Sequence, residues 1–435
     1  MKPQIIFLTT LAVIVHSCSH DEELDSTVHE PSTDENITCV RYLPVGRGDR
    51  FQNSTPRGIG STSNFQARSL LSVTEIESAL IGLQKAYPEK MKLSTSGIKT
   101  HQGRDIHVVS LGSRRPRVFI VSGIHGRDRG GPDNVVYFMA DLLWADRNNA
   151  SLWYESREYS VEQVRRVLDA GVVVMPSANP DGLNHDQKTA SCWRKNRRPA
   201  MTSKEIGVDI NANFKVFWDF ERIFHRNTTK IALSRDPRRQ NYVGPGPMSE
   251  PETQSIYKVF REVDSLTWYL DVHSVRGEVL YSWGDDATQV HDSRMNFLNA
   301  SFHHQRGLLD DSYREYLEPE DYNLQKSAAE RMVSAMNTVG DSAFYKASEA
   351  SSLYPSPGSA DEAMAGYYGG NCGANRINAL RLDFGAEVDT LVCQDFFYPD
   401  AYKYRQNLLQ SSVGLMEFGL NAGEGGGKVF RCEGA

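Results

Sequence analysis

Residues 118–144 read Val-Phe-Ile-Val-Ser-Gly-Ile-His-Gly-Arg-Asp-Arg-Gly-Gly-Pro-Asp-Asn-Val-Val-Tyr-Phe-Met-Ala-Asp-Leu-Leu-Trp. The opening apolar run is rich in β-branched residues and predicts a strand, and the segment after Pro132 predicts a helix. The glycine-containing loop between them carries His125 and Asp128. This order indicates an α/β sheet with both polar residues at the carboxyl end of a strand, where such sheets bind ligands.

A second histidine lies at a comparable position much later in the chain. The run Trp-Tyr-Leu-Asp-Val-His at residues 268–273 is a further predicted strand, and it ends in His273. Catalytic zinc takes three protein ligands and leaves its fourth position open for water. A His-x-x-carboxylate turn and one distant histidine can supply that set. The sequence therefore predicts one zinc ion held by His125, Asp128 and His273.

Strand and helix signals alternate over about 350 residues, which favours a single α/β domain. A capped helix start is predicted at Ser72, and a closing helix over residues 401–418. The predicted strands cover residues 106–111, 117–121, 171–175, 266–272 and 378–384.

Composition limits the function classes. The chain has 435 residues and a formal net charge of −7, so it lacks the basic excess of a nucleic-acid-binding protein. The apolar run at residues 5–15 is too short to span a bilayer, and residues 1–19 are interpreted as a secretory signal peptide. A lipoprotein anchored through Cys18 is the weaker interpretation, because His16 fits poorly there. No later run is long enough to predict a membrane span. We expect a secreted monomer.

The termini differ in composition from the rest of the chain. Residues 20–64 are acidic and then basic, with many Ser, Thr and Gly, and are predicted to be a flexible leader. The folded domain is predicted over residues 65–420. A Gly-rich tail is expected over residues 421–435.

Cysteines and glycosylation sequons agree with secretion. Loss of Cys18 with the signal peptide leaves five cysteines, so at least one is unpaired or bonded to another chain. A local bridge between Cys372 and Cys393 is the favoured interpretation, although sequence does not fix the connectivity. Asparagines in Asn-x-Ser/Thr sequons, which a eukaryotic host could glycosylate, are Asn36, Asn53, Asn149, Asn227 and Asn299.

Four further motifs carry polar residues. Taken singly, each has an ordinary interpretation as a turn, a solvated basic run or a loop. The motifs are Asn-Pro-Asp-Gly at 179–182 with Trp-Arg-Lys-Asn-Arg at 193–197, Gly-Val-Asp-Ile-Asn-Ala-Asn-Phe at 207–214 with the segment 242–252, the Gly/Ser/Pro loop 353–361, and Leu-Arg-Leu-Asp-Phe at 380–384. In the last of these, a period of two places Arg381 and Asp383 on one face of a strand.

In this order and spacing, the motifs resemble the zinc carboxypeptidase family, of the pancreatic carboxypeptidase A/B type, from about residue 69 to residue 418. The resemblance implies a single α/β domain with a mixed, mostly parallel, twisted eight-stranded sheet flanked by helices. It also implies that His125, Asp128 and His273 hold zinc. Arg194 would stabilise the oxyanion and Asp383 would be the general base.

The resemblance also assigns substrate-binding residues. Arg127 lies at a substrate-contacting position, Asn211 would bind the terminal carboxylate, and Tyr354 would close over the peptide. Arg381 would lie in the pocket for the C-terminal side chain. An arginine there could favour acidic side chains or replace a missing carboxylate anchor. The alternative is that Arg381 only pairs with a neighbouring acid such as Asp361 or Glu362.

Several positions depart from the family pattern. Asp128 and Asp383 stand where the family has Glu, and an Asp side chain is shorter by roughly 1.5 Å. Ala212 replaces an arginine that anchors the terminal carboxylate, and Val275 replaces a tyrosine. The leader is also too short for the family's folded propeptide, so none is expected here.

Two functions remain open from the sequence. The first is a secreted, zinc-dependent metallocarboxypeptidase that removes C-terminal residues from peptides or proteins, with Arg381 favouring acidic C-termini. Zinc would lower the pKa of a water molecule, and a carboxylate would transfer its proton to the leaving amine. The second is a catalytically weak or inactive pseudoenzyme that binds a peptide or partner on the same scaffold.

Overall fold

The structure, a computed structural model, describes residues 42–66, 68–200, 206–228, 231–308, 311–352, 354–371 and 373–424. Within these ranges the strands are β1 (Met91–Lys99), β2 (Asp105–Leu111), β3 (Val118–Ser122), β4 (Leu152–Tyr154), β5 (Arg157–Tyr159), β6 (Val172–Met175), β7 (Trp268–Ser274), β8 (Glu278–Tyr281), β9 (Thr288–Gln289), β10 (Glu315–Tyr316), β11 (Lys346–Glu349) and β12 (Asn378–Phe384). The α-helices are α1 (Val73–Ala86), α2 (Gly131–Asn148), α3 (Val161–Ala170), α4 (Pro180–Thr189), α5 (Phe220–Ile223), α6 (Pro251–Glu262), α7 (Pro319–Met336), α8 (Ser359–Tyr368), α9 (Cys393–Phe397) and α10 (Ala401–Glu424).

An eight-stranded mixed sheet, in the order β1-β2-β6-β3-β7-β12-β8-β11, forms the centre of the fold. The four middle strands, from β6 to β12, are parallel to one another, whereas β1, β2 and β8 pair antiparallel with a neighbour. Parallel neighbours end at the same edge of a sheet. The carboxyl ends of β3, β7 and β12 therefore lie side by side. The expected mixed sheet is confirmed.

The sheet separates two hydrophobic layers, and β3 shows how sequence produces this. All five of its side chains are buried. Val118 and Ile120 pack into one cluster, whereas Phe119 and Val121 pack into the other. Alternate strand residues point to opposite faces, so a continuous apolar run is required where both faces are covered. Burial of this kind contributes about 1.5–3 kcal/mol for each large aliphatic side chain.

The helices on the two faces differ in number. Buried residues of α1, α2, α3, α7 and α10 join the cluster that contains Val118. Residues of α6 and α8, among them Ile256 and Met364, join the cluster that contains Phe119. The predicted cap of α1 is present, because Ser72 and Glu75 exchange hydrogen bonds as a capping box.

The predicted boundary of the leader is wrong. Residues 42–64 belong to the same compact unit as the sheet, with Leu43, Phe51 and Ile59 buried in its core. At Gly60 the backbone amide donates to Asp141 Oδ2 (2.9 Å). A Cβ at this glycine would lie 2.5 Å from the ring of Tyr154, so the close approach requires glycine. Ser, Thr and Gly content suggested a flexible segment, but three apolar anchors hold it against the sheet.

The predicted signal peptide, leader and tail lie partly outside the residues that the structure describes. The signal peptide and the first part of the leader lie in residues 1–41, outside the described residues, as do residues 425–435 of the predicted tail. Residues 421–424 belong to α10. Among the described helices, none combines the length and apolarity needed to cross a membrane.

The favoured disulfide is also wrong. Cys393 bonds to Cys192, which is 201 residues away in sequence, and not to Cys372. Sequence proximity favoured the local bridge, whereas the fold brings the segment after α4 against the start of α9. The Gln394 side chain donates to the carbonyl of Ala190 (3.0 Å) across the same contact.

Peptide mapping under non-reducing conditions should identify the Cys192–Cys393 bond. Replacing both residues by serine should lower the free energy of unfolding by about 2–4 kcal/mol, because the bond restricts the unfolded chain. Chemical denaturation measures this change, and Cys372→Ser is the control that should leave the bond in place. A Cys372–Cys393 bond in the folded protein would contradict the assignment.

Candidate metal centre and cleft

Three potential metal ligands converge at the carboxyl ends of β3 and β7. Asp128 Oδ2 lies 3.2 Å from His125 Nδ1 and 3.1 Å from His273 Nδ1. The two Nδ1 atoms are 3.0 Å apart. All three side chains are buried. The structure therefore brings together the three residues that the sequence predicted as zinc ligands.

The donor set fits a zinc ion in both chemistry and spacing. Two imidazole nitrogens and one carboxylate oxygen form a typical catalytic zinc set. With zinc–ligand bonds of about 2.0–2.1 Å, tetrahedral ligand atoms lie roughly 3.3 Å apart, close to the observed triangle. The second oxygen of Asp128, Oδ1, is buried without a hydrogen-bond partner. Asp128 thus reaches the position despite being shorter than the glutamate of the family pattern.

A second layer of carboxylates holds the two imidazoles. Asp209 Oδ1 lies 3.3 Å from His125 Nε2, and Asp271 Oδ2 lies 2.7 Å from His273 Nε2. Both Nε2 atoms lack a hydrogen bond of good geometry, so these carboxylates act on the rings mainly through their charge, which raises the basicity of a metal-binding imidazole. Asp271 also accepts a hydrogen bond from the Ser359 hydroxyl. Sequence reasoning assigned no role to Asp209 or Asp271, although period two along β7 places Asp271 on the same face as His273.

The charges of the cluster shift its pKa values. Burial lowers the pKa of His273, but the carboxylates of Asp271 and Asp128 more than offset it, and the pKa is raised to about 10. Burial raises the pKa of Asp128, but His125 and His273 outweigh it, and the pKa lies below its usual range. Without an ion, the cluster therefore retains a proton on an imidazole. A divalent cation would have to displace that proton.

A second cluster of possible ligands is formed by His101, Glu250 and Glu252. Hydrogen-bond donors of the protein already occupy its carboxylates. The Asn196 amide donates to both carboxylates at 2.8 Å, and Arg198 donates to Glu250 at 2.8 Å. The Asn196 oxygen accepts from a backbone amide, which fixes the orientation of this side chain. The amide hydrogens of Asn196 thus point at the carboxylate oxygens that a cation would need. We therefore interpret the cluster as a structural hydrogen-bond network.

A cleft of about 340 Å³ opens beside the candidate metal ligands. It contains every predicted site residue except Asp128, which lies beneath it. The predicted residues that line it are His125, Arg127, Arg194, Asn211, His273, Tyr354, Arg381 and Asp383. Ala212 and Val275, where the sequence departs from the family pattern, line it as well.

Arg194 is tied to the metal cluster through Asp209. Its Nη2 and Nε lie 2.8 and 2.9 Å from Asp209 Oδ2, while the other oxygen of Asp209 faces His125. Burial raises the pKa of Asp209, but Arg194 and His125 outweigh it and hold the pKa below its usual range. One buried carboxylate therefore orients both a candidate ligand and the candidate oxyanion residue.

The loop with the first ligand is also fastened to the segment with Arg194. The Gly126 amide donates to the Arg194 carbonyl (3.0 Å). The Asn179 side chain caps α4 and donates to the carbonyls of Ile124 and Lys195. A Cβ at Gly126 would lie 2.5 Å from the Gly182 backbone, so this approach requires glycine. The Asn-Pro-Asp-Gly motif is therefore a positioning element and not only a turn.

Arg127 lies at the rim, against the disulfide-bonded helix α9. Its guanidinium sits 4.3 Å from the ring centre of Phe397 and donates to Gln240. Burial, followed by the nearby charge of Arg194, lowers the pKa of Arg127 to about 10. Arg127 and Arg194 line the same cleft, and like charges repel each other unless an anion binds near them. The pair therefore suits a negatively charged group in the cleft.

Arg381 and Asp383 form an ion pair on the floor of the cleft. Arg381 Nε lies 3.1 Å from Asp383 Oδ1, and Nη2 lies 3.3 Å from Oδ2. The alternative interpretation named Asp361 or Glu362 as the partner of Arg381. Asp361 instead accepts from the amides of Gly284 and Gly358, and Glu362 accepts from the amide of Val216. Arg381 thus pairs with the residue predicted as the general base.

Comparison with known proteins agrees with this arrangement. The family model for zinc carboxypeptidases matches residues 76–400. The chain belongs to the zinc carboxypeptidase family. The resemblance noted in the sequence is therefore confirmed.

Curated relatives are distant. The chain is 28% identical to carboxypeptidase B of Rattus norvegicus over 193 residues, 43% of this chain and 41% of the relative. It is 26% identical to carboxypeptidase B of Astacus astacus over 217 residues, 48% of this chain and 63% of the relative. An inactive metallocarboxypeptidase, ecm14 of Talaromyces stipitatus, is 25% identical over 230 residues, 50% of this chain and 35% of the relative. The matches thus span 35–63% of the length of these relatives, less than two thirds in each case.

Solved structures share the fold. Bovine thrombin-activatable fibrinolysis inhibitor, in complex with tick carboxypeptidase inhibitor, aligns with a TM-score of 0.59 at 19% identity, over 81% of this chain and 97% of its own. Carboxypeptidase A from Helicoverpa armigera aligns with a TM-score of 0.59 at 20% identity, over 83% of this chain and 76% of its own. At this identity the likeness supports the fold alone.

Purified protein should bind one zinc ion, and His273→Ala and Asp128→Ala should each lose it. Removing one of three ligands leaves two, which do not hold a catalytic ion tightly. Metal analysis after dialysis measures the stoichiometry. His101→Ala is the matched control from the second cluster and should retain one zinc. Zinc lost from His101→Ala but kept by His273→Ala would contradict the assignment.

Proposed function

We propose that the protein is a secreted, zinc-dependent metallocarboxypeptidase that hydrolyses C-terminal residues from peptides or proteins. The observation that carries this proposal is the buried triangle of His125, Asp128 and His273 beside a cleft that holds Arg194 and Asp383. Family membership supports the same chemistry.

Each cleft residue has a role that follows from its chemistry. When bound, zinc would polarise the scissile carbonyl and lower the pKa of a water molecule. Asp383 would accept the proton of the attacking water and later deliver it to the leaving amine. Arg194, held by Asp209, would donate hydrogen bonds to the developing oxyanion.

The remaining cleft residues would orient the peptide. The Asn211 amide would bind the terminal carboxylate, and Tyr354 would cover the peptide from the loop before α8. Arg127 would contact the substrate at the rim. Holding the reactants in this way removes much of the entropic barrier to reaction.

An acidic C-terminal side chain is the proposed preference. Four arginines line the cleft, namely Arg127, Arg194, Arg276 and Arg381, against the two aspartates Asp209 and Asp383. A cleft with an excess of cations attracts anionic substrates and raises their rate of association. Arg381 is the arginine best placed to meet such a side chain, because it also lines a small inner pocket beside Asn211.

A non-catalytic peptide-binding protein is the second candidate. The observation that favours it is the ion pair between Asp383 and Arg381, which engages the residue proposed as the base. The inactive relative is one example of a family member without activity. The kinetic test below separates the two functions.

Secretion is proposed from separate observations. A disulfide bond such as Cys192–Cys393 persists in oxidising compartments. The sequon asparagines Asn53, Asn149 and Asn227 are exposed, as glycosylation requires. The predicted signal peptide supports the same location, and the protein is proposed to act as a glycosylated monomer.

Zinc-loaded protein should release the C-terminal residue of a short peptide, and Asp383→Asn should lower kcat by about a hundredfold or more because general-base catalysis is lost. A chelator should abolish the activity, and added zinc should restore it. Product release is measured by chromatography. The control is Glu278→Gln, the neighbouring acid across the sheet. Bound zinc without turnover, or equal rates for wild type and Asp383→Asn, would favour the binding protein.

Peptides ending in Glu should be hydrolysed with a kcat/KM about tenfold above those ending in Leu, the ratio that about 1.4 kcal/mol of selective binding gives. Arg381→Ala should remove this preference, since the cation that recognises the side chain is lost. Competition between the two peptides in one reaction measures the ratio directly. A ratio near one in wild type would exclude the proposed preference.

A further inference from the structure

The ion pair between Arg381 and Asp383 joins a substrate-facing cation to the proposed base. The two residues are separated by one position on β12 and share a face. Both line the cleft, and both are mostly buried, with side chains 17% and 9% exposed. Their contact is therefore part of the site that a peptide must enter.

Two other acids near Arg381, Asp271 and Asp361, have hydrogen-bond donors of their own. Asp271 accepts from Ser359 and faces His273, while Asp361 accepts from two backbone amides. These carboxylates are fixed by their own partners. Asp383 is the acid within ion-pair distance of Arg381, although Oδ1 of Asp271 is buried without a hydrogen-bond partner on the neighbouring strand.

The other arginines of the cleft do not share this arrangement. Arg194 is paired with Asp209, which belongs to the metal cluster. Within the described part of the chain, Arg127 and Arg276 have no carboxylate in ion-pair distance. Among these four arginines, Arg381 alone engages the proposed base.

The pair is imperfectly aligned, which favours exchange. Arg381 Nε and Asp383 Oδ1 are 3.1 Å apart, yet both atoms are buried without a hydrogen bond of good geometry. The third nitrogen, Nη1, lies 3.4 Å from the Ser356 hydroxyl. A guanidinium carries five donors and binds a carboxylate best through two parallel hydrogen bonds. A carboxylate that offered this geometry would compete well with Asp383.

The surroundings of Arg381 suit such a carboxylate. Arg381, Asn211 and Ser356 line both the main cleft and a small inner pocket of about 20 Å³. An amide, a hydroxyl and a guanidinium together recognise a carboxylate. Ala212, also in the cleft, supplies no charge at the position where the family pattern has an arginine.

We propose that Arg381 is a carboxylate-exchange residue, which pairs with Asp383 in the free protein and is taken over by a carboxylate of the bound peptide. Asp383 is then released to act on water. This inference rests on the proposed function and adds regulation to it: hydrolysis requires an anion beside Arg381. The anion can be the terminal carboxylate or an acidic side chain, which share the same chemistry.

Binding measurements test the exchange without any need for catalysis. Calorimetric titration of acetyl-alanine into zinc-loaded protein should give a Kd about tenfold lower for Asp383→Asn than for wild type, because a charge-assisted competitor is removed. Arg381→Gln should abolish this gain in the double variant, as a double-mutant cycle requires. Glu278→Gln removes a charge from the adjacent strand and should change Kd by less than about twofold.

Three ligands separate the possible sources of the carboxylate. Acetyl-alanine carries only the terminal group, acetyl-glutamic acid α-amide carries only the side-chain group, and acetyl-alanine amide carries neither. The exchange predicts that Asp383→Asn tightens binding of at least one of the first two and does not tighten binding of the third. Equal tightening of all three ligands, or of none, would overturn the proposal.

Kinetics give a second readout of opposite sign. On a peptide with an amidated, uncharged C-terminus, Arg381→Gln should raise kcat about fivefold or more over wild type, because the base is no longer engaged. On the free-acid peptide the same variant should lower kcat/KM. If Arg381 had a purely structural role, the variant would hydrolyse both the amidated and the free-acid peptide more slowly than wild type. Arg276→Gln removes an equal charge from the same cleft and should give no gain on the amide.

The two proposals fail in different ways. If no form of the protein hydrolyses any peptide but Asp383→Asn still tightens carboxylate binding through Arg381, the peptidase function is wrong and the exchange stands. If peptides are hydrolysed but the binding cycle shows no coupling between Arg381 and Asp383, the exchange is wrong and the peptidase function stands.

Discussion

The parallel pairing of β3, β7 and β12 is the constraint on which the site depends. Ser122 pairs with Val272, and His273 pairs with Asp383, so the three strands end at one edge. Residues far apart in sequence thereby meet within hydrogen-bonding distance. Such pairing needs buried strands with both faces covered, and the apolar runs of β3 and β7 meet that need. The hydrophobic pattern of the sheet thus fixes the place of the polar chemistry.

The buried charges at this edge are tolerable only as a network. An unpaired carboxylate in the interior costs several kcal/mol, so each must have a cation or donors beside it. Asp209 meets His125 and Arg194, and Asp271 meets His273 and Ser359. The imidazole rings are therefore held from both sides. The network stabilises one arrangement of the site, and a bound ion would complete it rather than create it.

The sequence predicted the fold and the ligands because their signals are local. β12 has the predicted range of 378–384, since alternating Leu and Phe with flanking turns define a strand without tertiary information. In contrast, the packing of residues 42–64 depends on three apolar side chains spaced over a polar segment, which composition does not reveal. The bond between Cys192 and Cys393 depends on a contact between the segment after α4 and the start of α9, 201 residues apart in sequence. Long-range contacts of this kind leave no periodic signal.

The site residues divide in the same way. His125, Asp128 and His273 could be found from motif spacing, whereas Asp209 and Asp271 act through orientation, which only the three-dimensional arrangement displays. The pairing of Arg381 with Asp383 could be anticipated as proximity on one face of a strand. The role proposed for this pair could not be anticipated, because it depends on other donors that bind Asp271 and Asp361.

The departures from the family pattern fall unevenly over the site. The candidate metal site keeps its set of possible ligands, because the shorter Asp128 still reaches both histidines at 3.1–3.2 Å. More departures from the family pattern fall on the cleft wall, where Ala212 stands for an arginine and Val275 for a tyrosine. Asp383, the other shortened carboxylate, also lines this cleft and pairs with Arg381. The shortened carboxylates therefore remain in place for the proposed chemistry, while the wall offers Arg381 as a cation for the carboxylate of a peptide.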